Sequence, residues 1–589
     1  MSGPIGSSQW MYAIDDGYDI GESLRFEDGD NAYLKRDLTQ DGNRKTYTIS
    51  FWFKIASLGT GSASDDYRVL YADGKSSSTS AITLSGTDFL SVAINDGSTR
   101  TFRTNRLFRD VSAWYHIVVA VDTTQVTDTD RVKIYINGQQ ETSFSLSSYP
   151  TKDNDTTINK SGNDHLIGKY GGNTNRMWDG YIAEFHLIDG TALAPTSFGE
   201  DNNGQWRPIE YSGGNYGVNG FYLNFSSSSF TDNASDPDVF ADQVGSNDFN
   251  AYKFEASDVV LDSPTNNFAT WNPLVNTTQS LTFKEGNLNL AASSQTWAGS
   301  GDNFNQSTIG VLGGSNAKHY FEFTMENNTS GSYVIGVGRH NSKGIDTTHY
   351  TGGVVFYNTR CSSDSTDTVT GITRATSLTI IRLAFDASNG KVWIGDNNGY
   401  FNSGDPANGT GEVGTISGYD GETLVAILNR STNSGNQIVN FGQDSTFANR
   451  KTSGSANAAD DNGIGDFYYD PPSGFLAMCS ANLAETTIGP NSAKQADDYF
   501  NTVLWSGDGN DGRTITGVGF QPDWVWVKDR NTARSHVIQD SVRGFNDGDK
   551  VLRSNNTNSE SSTDNDAYGF VGNTNSDGYT LEDGTTDGR

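Results

Sequence analysis

The chain has 589 residues, 34% hydrophobic and 12% aromatic, with a formal net charge of −31. That length exceeds one hydrophobic core, so three or four domains are expected. The acidic balance argues against a phosphate-binding surface and hence against nucleic acid as a partner, and no apolar run is long enough for membrane insertion by a helix.

The 26 Tyr, 31 Phe and 11 Trp are ample for packed β cores, and the 66 Gly, with abundant Asn, Ser, Thr and Asp, supply turns and polar strand faces. The fold class read from this is all-β and loop-rich, expected as tandem β-sandwich domains joined by polar linkers; the resemblance given below implies that they are jelly rolls. Cys361 and Cys479 fall in different expected domains, so no disulfide framework is expected. Residues 1–10 lack the basic-then-apolar pattern of a signal peptide. An extracellular-looking composition without export signal or disulfides suits a virus-particle protein, made in the host cytoplasm and released by lysis.

The first expected domain is 1–257. Its strands are read at 23–26, 47–54, 67–71, 89–94, 113–122, 131–136, 165–168, 178–188 and 220–225, each bounded by Gly, Asn, Asp or Ser. The alternating stretch 131–136 runs straight into Asn137-Gly138. That pair signals a hairpin, because a type I′ turn needs positive φ at both central residues. Residues 258–271 lack a strand period and read as a linker.

Strands of a second domain, 272–450, are read at 319–324, 332–338, 353–357, 379–386 and 391–394. Residues 451–470, rich in Ala, Asp, Asn and Gly, read as another polar linker. A third, β-rich module occupies 471–589, with its most distinctive text at 517–528 and 536–544.

Three resemblances follow. Ser-Phe-Trp-Phe-Lys at 50–54, Trp-Tyr-His-Ile-Val at 114–118, Lys-Ile-Tyr-Ile-Asn-Gly at 133–138, Ile-Gly at 167–168 and Trp-Asp-Gly-Tyr-Ile-Ala-Glu-Phe at 178–185 together resemble the laminin G-like, concanavalin A-type jelly roll. With Phe-Gly-Glu at 198–200 and Gly-Phe-Tyr-Leu-Asn-Phe at 220–225, the run is similar to a variant common in structural proteins of marine tailed phages. Lys-His-Tyr-Phe-Glu-Phe at 318–323, Ile-Gly-Val-Gly at 335–338 and Ala-Phe-Asp at 384–386 before Gly-Lys-Val-Trp-Ile-Gly at 390–395 resemble the SPRY sandwich, in which a hairpin 383–386 to 391–394 is typical. Thr-Gly-Val-Gly-Phe-Gln-Pro-Asp-Trp-Val-Trp-Val-Lys at 516–528 and Asp-Ser-Val-Arg-Gly at 540–544 resemble a module of phage tail-associated proteins. In that family another strand follows, so the module reads as incomplete at 589.

Jelly rolls include polysaccharide hydrolases. A retaining glycosidase places two carboxylates about 5–5.5 Å apart. Glu184 has His186 at i+2 and Ile188 at i+4, so it lacks a partner on its strand face and reads as structural. His116, alone in a core strand, reads as a satisfied structural residue. Seven His and two distant Cys give no zinc pattern. No nucleophile elbow occurs, and Gly336-Val-Gly338 lies in a strand and not before a helix. No catalytic or cofactor-binding residue is therefore assigned, and the chain is read as a non-enzyme.

Two binding chemistries remain. Asp122, Asp128, Asp130, Asp153 and Asp155 supply hard oxygen ligands of the kind calcium takes, although neither loop matches a fixed ligand pattern and both also read as solvated loops. Tyr170, Asn175 and Trp178 combine aromatic and amide groups as a glycan site does; the alternative is that Trp178 anchors the following strand.

The resemblances imply a virion protein: a tail fibre, spike or related appendage that attaches to host-surface glycan or protein. Such appendages are usually trimers, and weak sites gain from avidity. The alternative is a capsid decoration or structural adaptor binding other virion proteins, a reading helped by the lack of any coiled-coil heptad run.

Overall fold

A computed structural model describes residues 17–584 except 62–67, 75–79, 172, 234–236, 276–280, 292–303, 327–332, 345–349, 374, 431–434, 453, 455–457, 484–493 and 561–568. Residues 1–10, Ser332 and Tyr67 of the expected segments lie outside the described residues. Among the described residues there is no α-helix, only strands and single 3-10 turns. They form two compact units, Met1–Glu485 and Thr486–Arg589.

The first unit begins with a sandwich of two antiparallel sheets. One runs Val132–Ile136, Trp114–Asp122, Thr46–Ile55, Gly180–Asp189, Ser23–Phe26 and Val259–Val260, with Phe221–Leu223 also on Gly180–Asp189. The other carries Thr99–Leu107, Phe89–Asn95, Ala81–Leu84, Arg68–Asp73, Asp164–Ile167, Tyr33–Asp37, Phe249–Tyr252 and Asp238–Phe240 in that order. Period-two alternation sends Phe51, Phe53, Ile117, Val119 and Phe185 into the core between them, where Phe51 and Phe185 stack at 4.7 Å. The Asn-Gly hairpin forms as read: φ is 47° at Asn137 and 75° at Gly138. A Cβ on Gly138 would come within 2.3 Å of the Trp206 indole, so the position admits only glycine on two counts.

The second sandwich follows the same rule. One sheet contains Asn436–Asn440, Lys318–Glu326, Ile381–Asp386 and Lys391–Asp396, and the facing sheet Thr423–Arg430, Tyr333–Gly344, Tyr350–Tyr357 and Arg360–Ser363. The expected hairpin is present, pairing Leu383 with Ile394 and Asp386 with Lys391.

Both expected linkers need correction. In 258–271, Asp262, Ser263, Asn267, Phe268, Ala269 and Trp271 are buried, and Val259–Val260 extends the first sheet. In 451–470, Ala458 and Phe467 are buried, and the backbone N–H groups of Tyr468 and Tyr469 donate to the Glu322 carboxylate at 2.7 and 2.8 Å. Leu476–Ala477 then pairs in parallel with Lys318–Glu326, so the second sandwich runs past residue 470. Polarity misled here because these polar groups are hydrogen-bonded inside the protein and not solvated. The cysteines need the same correction: Cys361 and Cys479 both lie in the second sandwich, as buried free thiols.

The outer face of the first sheet is covered by the second sandwich and the segment leading to it. Arg25, 1% exposed, lies 3.1 Å from Asp258, 3.8 Å from Glu285 and 3.4 Å from Asp444. The Tyr181 hydroxyl donates to the Gly286 carbonyl at 2.7 Å, and the Asn287 amide to the Ala56 carbonyl at 2.8 Å.

The second unit is smaller. Arg513–Ile515, Gly578–Glu582 and Phe570–Asn575 form one sheet, and Trp524–Val527 pairs with Val537–Asp540 in a separate ribbon. Ile515, Val518, Val525, Val571, Tyr579 and Leu581 make its core.

Candidate functional site

Glu184 sits on a β-bulge in Gly180–Asp189 with φ at 50°, a left-handed conformation that turns it to the outer face. Its carboxylate accepts from Tyr222 at 2.6 Å and Tyr18 at 3.2 Å, with His186 Nε2 3.4 Å away. His186 Nδ1 pairs with the Tyr216 hydroxyl at 2.8 Å. Burial pushes the Tyr222 and Tyr18 phenols far up, with the Glu184 charge second. Both phenols therefore act as fixed donors. The cluster satisfies a buried carboxylate, consistent with the structural role expected of Glu184.

His116 is 1% exposed. Trp206 Nε1 donates to its Nδ1 at 3.0 Å, so the neutral ring carries its proton on Nε2 and donates to Ser50 Oγ at 2.9 Å. Burial, then the charge of His186, depresses its pKa to about 3. It is a satisfied core residue, as read.

The acidic loops meet at one end of the first sandwich, where the Asp153 N–H donates to the Thr123 carbonyl at 2.9 Å. Their carboxylates are engaged elsewhere. Asp122 accepts from the Thr124 hydroxyl and the Gln125 amide, each at 2.6 Å; burial opposes, yet these bonds hold its carboxyl below the usual range. Asp128 accepts from the Thr129 N–H at 2.8 Å. Asp130 pairs with Lys133 at 3.1 Å, Asp153 with Lys152 at 3.3 Å and Asp155 with Arg44 at 3.4 Å. Among the described residues no three His, Cys, Asp or Glu side chains converge as a metal site.

Of the expected glycan residues, Trp178 is fully buried, edge-on to Phe53 at 5.9 Å, so it anchors the core. Tyr170 is half-buried against Val69, Ala72 and Ala81, with the Arg176 guanidinium over its ring at 5.3 Å. The side chain of Asn175 lies outside the described residues. The structure does not bring Tyr170 and Trp178 together as one exposed platform.

The exposed aromatic pair is in the second unit, outside the candidate residues of the sequence. On Trp524–Val527, Val525 turns into the core while Trp524 and Trp526 are 46% and 51% exposed. Their rings lie 5.9 Å apart at 75°, forming a corner. Trp526 Nε1 donates to His536 Nδ1 at 2.7 Å, and the Ser554 hydroxyl reaches the same nitrogen at 3.1 Å, so this indole is held in place before any ligand arrives. Ile538 and Asp540 stand directly across the ribbon. The signal was available: Trp-Val-Trp alternation puts both indoles on one face.

Residues 28–196 match the model of the concanavalin A-like lectin/glucanases superfamily. The first sandwich is a laminin G-like, concanavalin A-like jelly roll. Residues 495–589 match a domain of unknown function, DUF7483. No curated protein matches the chain. Among solved structures, a protein of Bacteroides ovatus described as carbohydrate-binding is similar at 15% identity over 40% of this chain, with a TM-score of 0.28; the match spans 58% of its length. Domains LG4-5 of the mouse laminin alpha1 chain match at 9% identity over 72% of this chain and 91% of theirs, with a TM-score of 0.24. Tailspike protein 2 of the Escherichia coli O157:H7 bacteriophage CAB120 matches at 13% identity over 30% of this chain and 24% of its own, with a TM-score of 0.23.

Proposed function

We propose that the chain is a non-enzymatic virion protein of a tailed phage, a tail fibre, spike or related appendage that attaches to host-surface glycan or protein. The observation that carries this reading is the exposed Trp524–Trp526 corner. An indole face stacks on the apolar face of a sugar ring, and Trp526 pays little ordering entropy because His536 already holds it. The concanavalin A-like jelly roll and the resemblance of 516–528 to phage tail-associated text support the same setting. Many copies acting together make weak contacts sufficient, and a trimer is the arrangement such appendages usually adopt. The test is adsorption of the purified full chain to host cells. The double variant Trp524→Ala/Trp526→Ala is expected to adsorb at least tenfold less, and parent-like adsorption by it would reject the corner as the contact.

A second reading, capsid decoration or structural adaptor, is favoured by Phe500, Leu504 and Val542, which are 66%, 78% and 94% exposed. Exposed apolar side chains of this size suit contact with another protein. Copy number and position in a cryo-EM map of the particle separate the two.

A further inference from the structure

Within the first unit, an open cleft of about 930 Å³ lies between the jelly roll and the second sandwich. Arg25, Asp30 and Phe254 reach it from the jelly roll, and Glu285, Asn449 and Arg450 from the other side. We infer that this cleft binds an uncharged, polyhydroxylated ligand, a short stretch of saccharide chain. The inference rests on the adhesion reading only in taking a surface glycan as the source of that saccharide.

The first support is backbone strain gathered in one place. Lys253, Glu285, Leu378, Ala448 and Asn449 all line the cleft, and none is glycine. Their φ angles are 63°, 55°, 61°, 53° and 60°, the left-handed region that L side chains avoid. Such conformations persist only where surrounding contacts impose them, and they collect at binding sites. The contacts are present. The Ala448 N–H donates to the Asp444 carboxylate at 2.7 Å, and the Asn449 N–H to the Thr446 hydroxyl at 3.0 Å. Asp444 is also the partner of buried Arg25, which ties the strained turn to the jelly-roll strand across the cleft.

The second support is the chemistry of the walls. Arg450 is held between Glu285 at 2.8 Å and Glu326 at 3.7 Å, while Asp30, Glu255 and Asn449 are exposed at the mouth. Carboxylate acceptors therefore alternate with guanidinium and amide donors. A polyanion would meet Asp30, Glu255, Asp258, Glu285 and Glu326, and a polycation would meet Arg25, Lys253 and Arg450. A neutral polyol donates to the carboxylates and accepts from the guanidinium and amide groups, and brings no charge of its own into the cleft. The volume falls within the about 300–1,000 Å³ usual for small-ligand sites, which form preferentially between domains.

The test uses the full chain on a printed array of defined bacterial O-antigen and capsular oligosaccharides, comparing the parent with Asp30→Trp, Asn449→Ala and Trp524→Ala/Trp526→Ala. Both cleft variants are expected to bind a common subset of glycans at least tenfold more weakly at an unchanged melting temperature, while the tryptophan variant keeps that subset. If Asp30→Trp lowers the melting temperature, Asn449→Ala decides alone. Parent-like binding by the cleft variants, with losses confined to the tryptophan variant, would overturn the cleft and leave adhesion standing. An array on which the parent binds nothing would overturn the cleft as a saccharide site, while adhesion through a protein contact stands or falls on the adsorption test.

Discussion

Lys54 Nζ lies 2.7 Å from the Asp262 carboxylate, with neither side chain more than 1% exposed. The ammonium also donates to Asn267 Oδ1 at 2.7 Å, and the other Asp262 oxygen accepts from Trp114 Nε1 at 3.1 Å. This pair fastens strand Thr46–Ile55 of the jelly roll to the segment that leads into the second sandwich. Replacing Lys54 with Met leaves a buried carboxylate without its counter-charge, a loss of about 3–5 kcal/mol. Denaturant unfolding is expected to show that loss as a lower midpoint. A midpoint matching the parent would mean that Asp262 is satisfied by its other donors.

Glu27 accepts the Glu285 N–H at 2.7 Å, and burial first, then the charge of Asp179, raises its carboxyl to about 8. Asp179 is raised in the same direction, by burial and then by Asp28. The folded protein keeps the Glu27 proton up to that pH, while the unfolded chain releases it near the ordinary glutamate value of about 4.3. Stability from this group is therefore complete below the unfolded value and lost as pH rises through the folded one. Glu27→Gln is expected to melt close to the parent at pH 4 and above it at pH 9. Parallel pH profiles for the two proteins would contradict this.

His116 works in the opposite sense. Its folded pKa of about 3 lies below the unfolded value of about 6.5, so acidification through that window protonates the unfolded chain first and lowers stability. His116→Gln can keep a donor toward Ser50 and an acceptor toward Trp206. It is expected to lose less stability than the parent between pH 6.5 and pH 4, as thermal melts would record.

Gly138→Ala is expected to cost about 1–3 kcal/mol, since the residue would keep a left-handed φ and collide with Trp206. Trp206 also holds His116, so loss of the hairpin should appear as solvent exposure of that indole in fluorescence. An unshifted emission maximum at parent stability would reject the clash.

Strands at 47–54 and 113–122 were legible because β-branched and aromatic residues dominate them, and Thr46–Ile55 and Trp114–Asp122 form there. Strands of the facing sheet were less so. In Thr99–Leu107, among the described side chains, only Phe102 and Thr104 are buried, and its Arg and Asn residues look like loop text. Tyr33–Asp37, Ala81–Leu84 and Phe249–Tyr252 went unread for related reasons of brevity or polarity. Of the candidate sites, Glu184 and His116 were read as structural and are satisfied in that role. Trp178 turned inward, and the Trp524–Trp526 corner and the strained cleft were not anticipated.

What the sequence by itself determined is periodicity: which residues share a strand face, where an Asn-Gly turn must fall, and hence that this chain builds β-sandwiches. It could not say what lies against each face. Arg25, Lys54 and Tyr181 occupy outward positions of the first sheet, where a lone jelly roll would expose them to water. Only the tertiary structure buries them beneath Asp262, Gly286 and Asp444, because covering a face depends on residues hundreds of positions away, which no local alternation records.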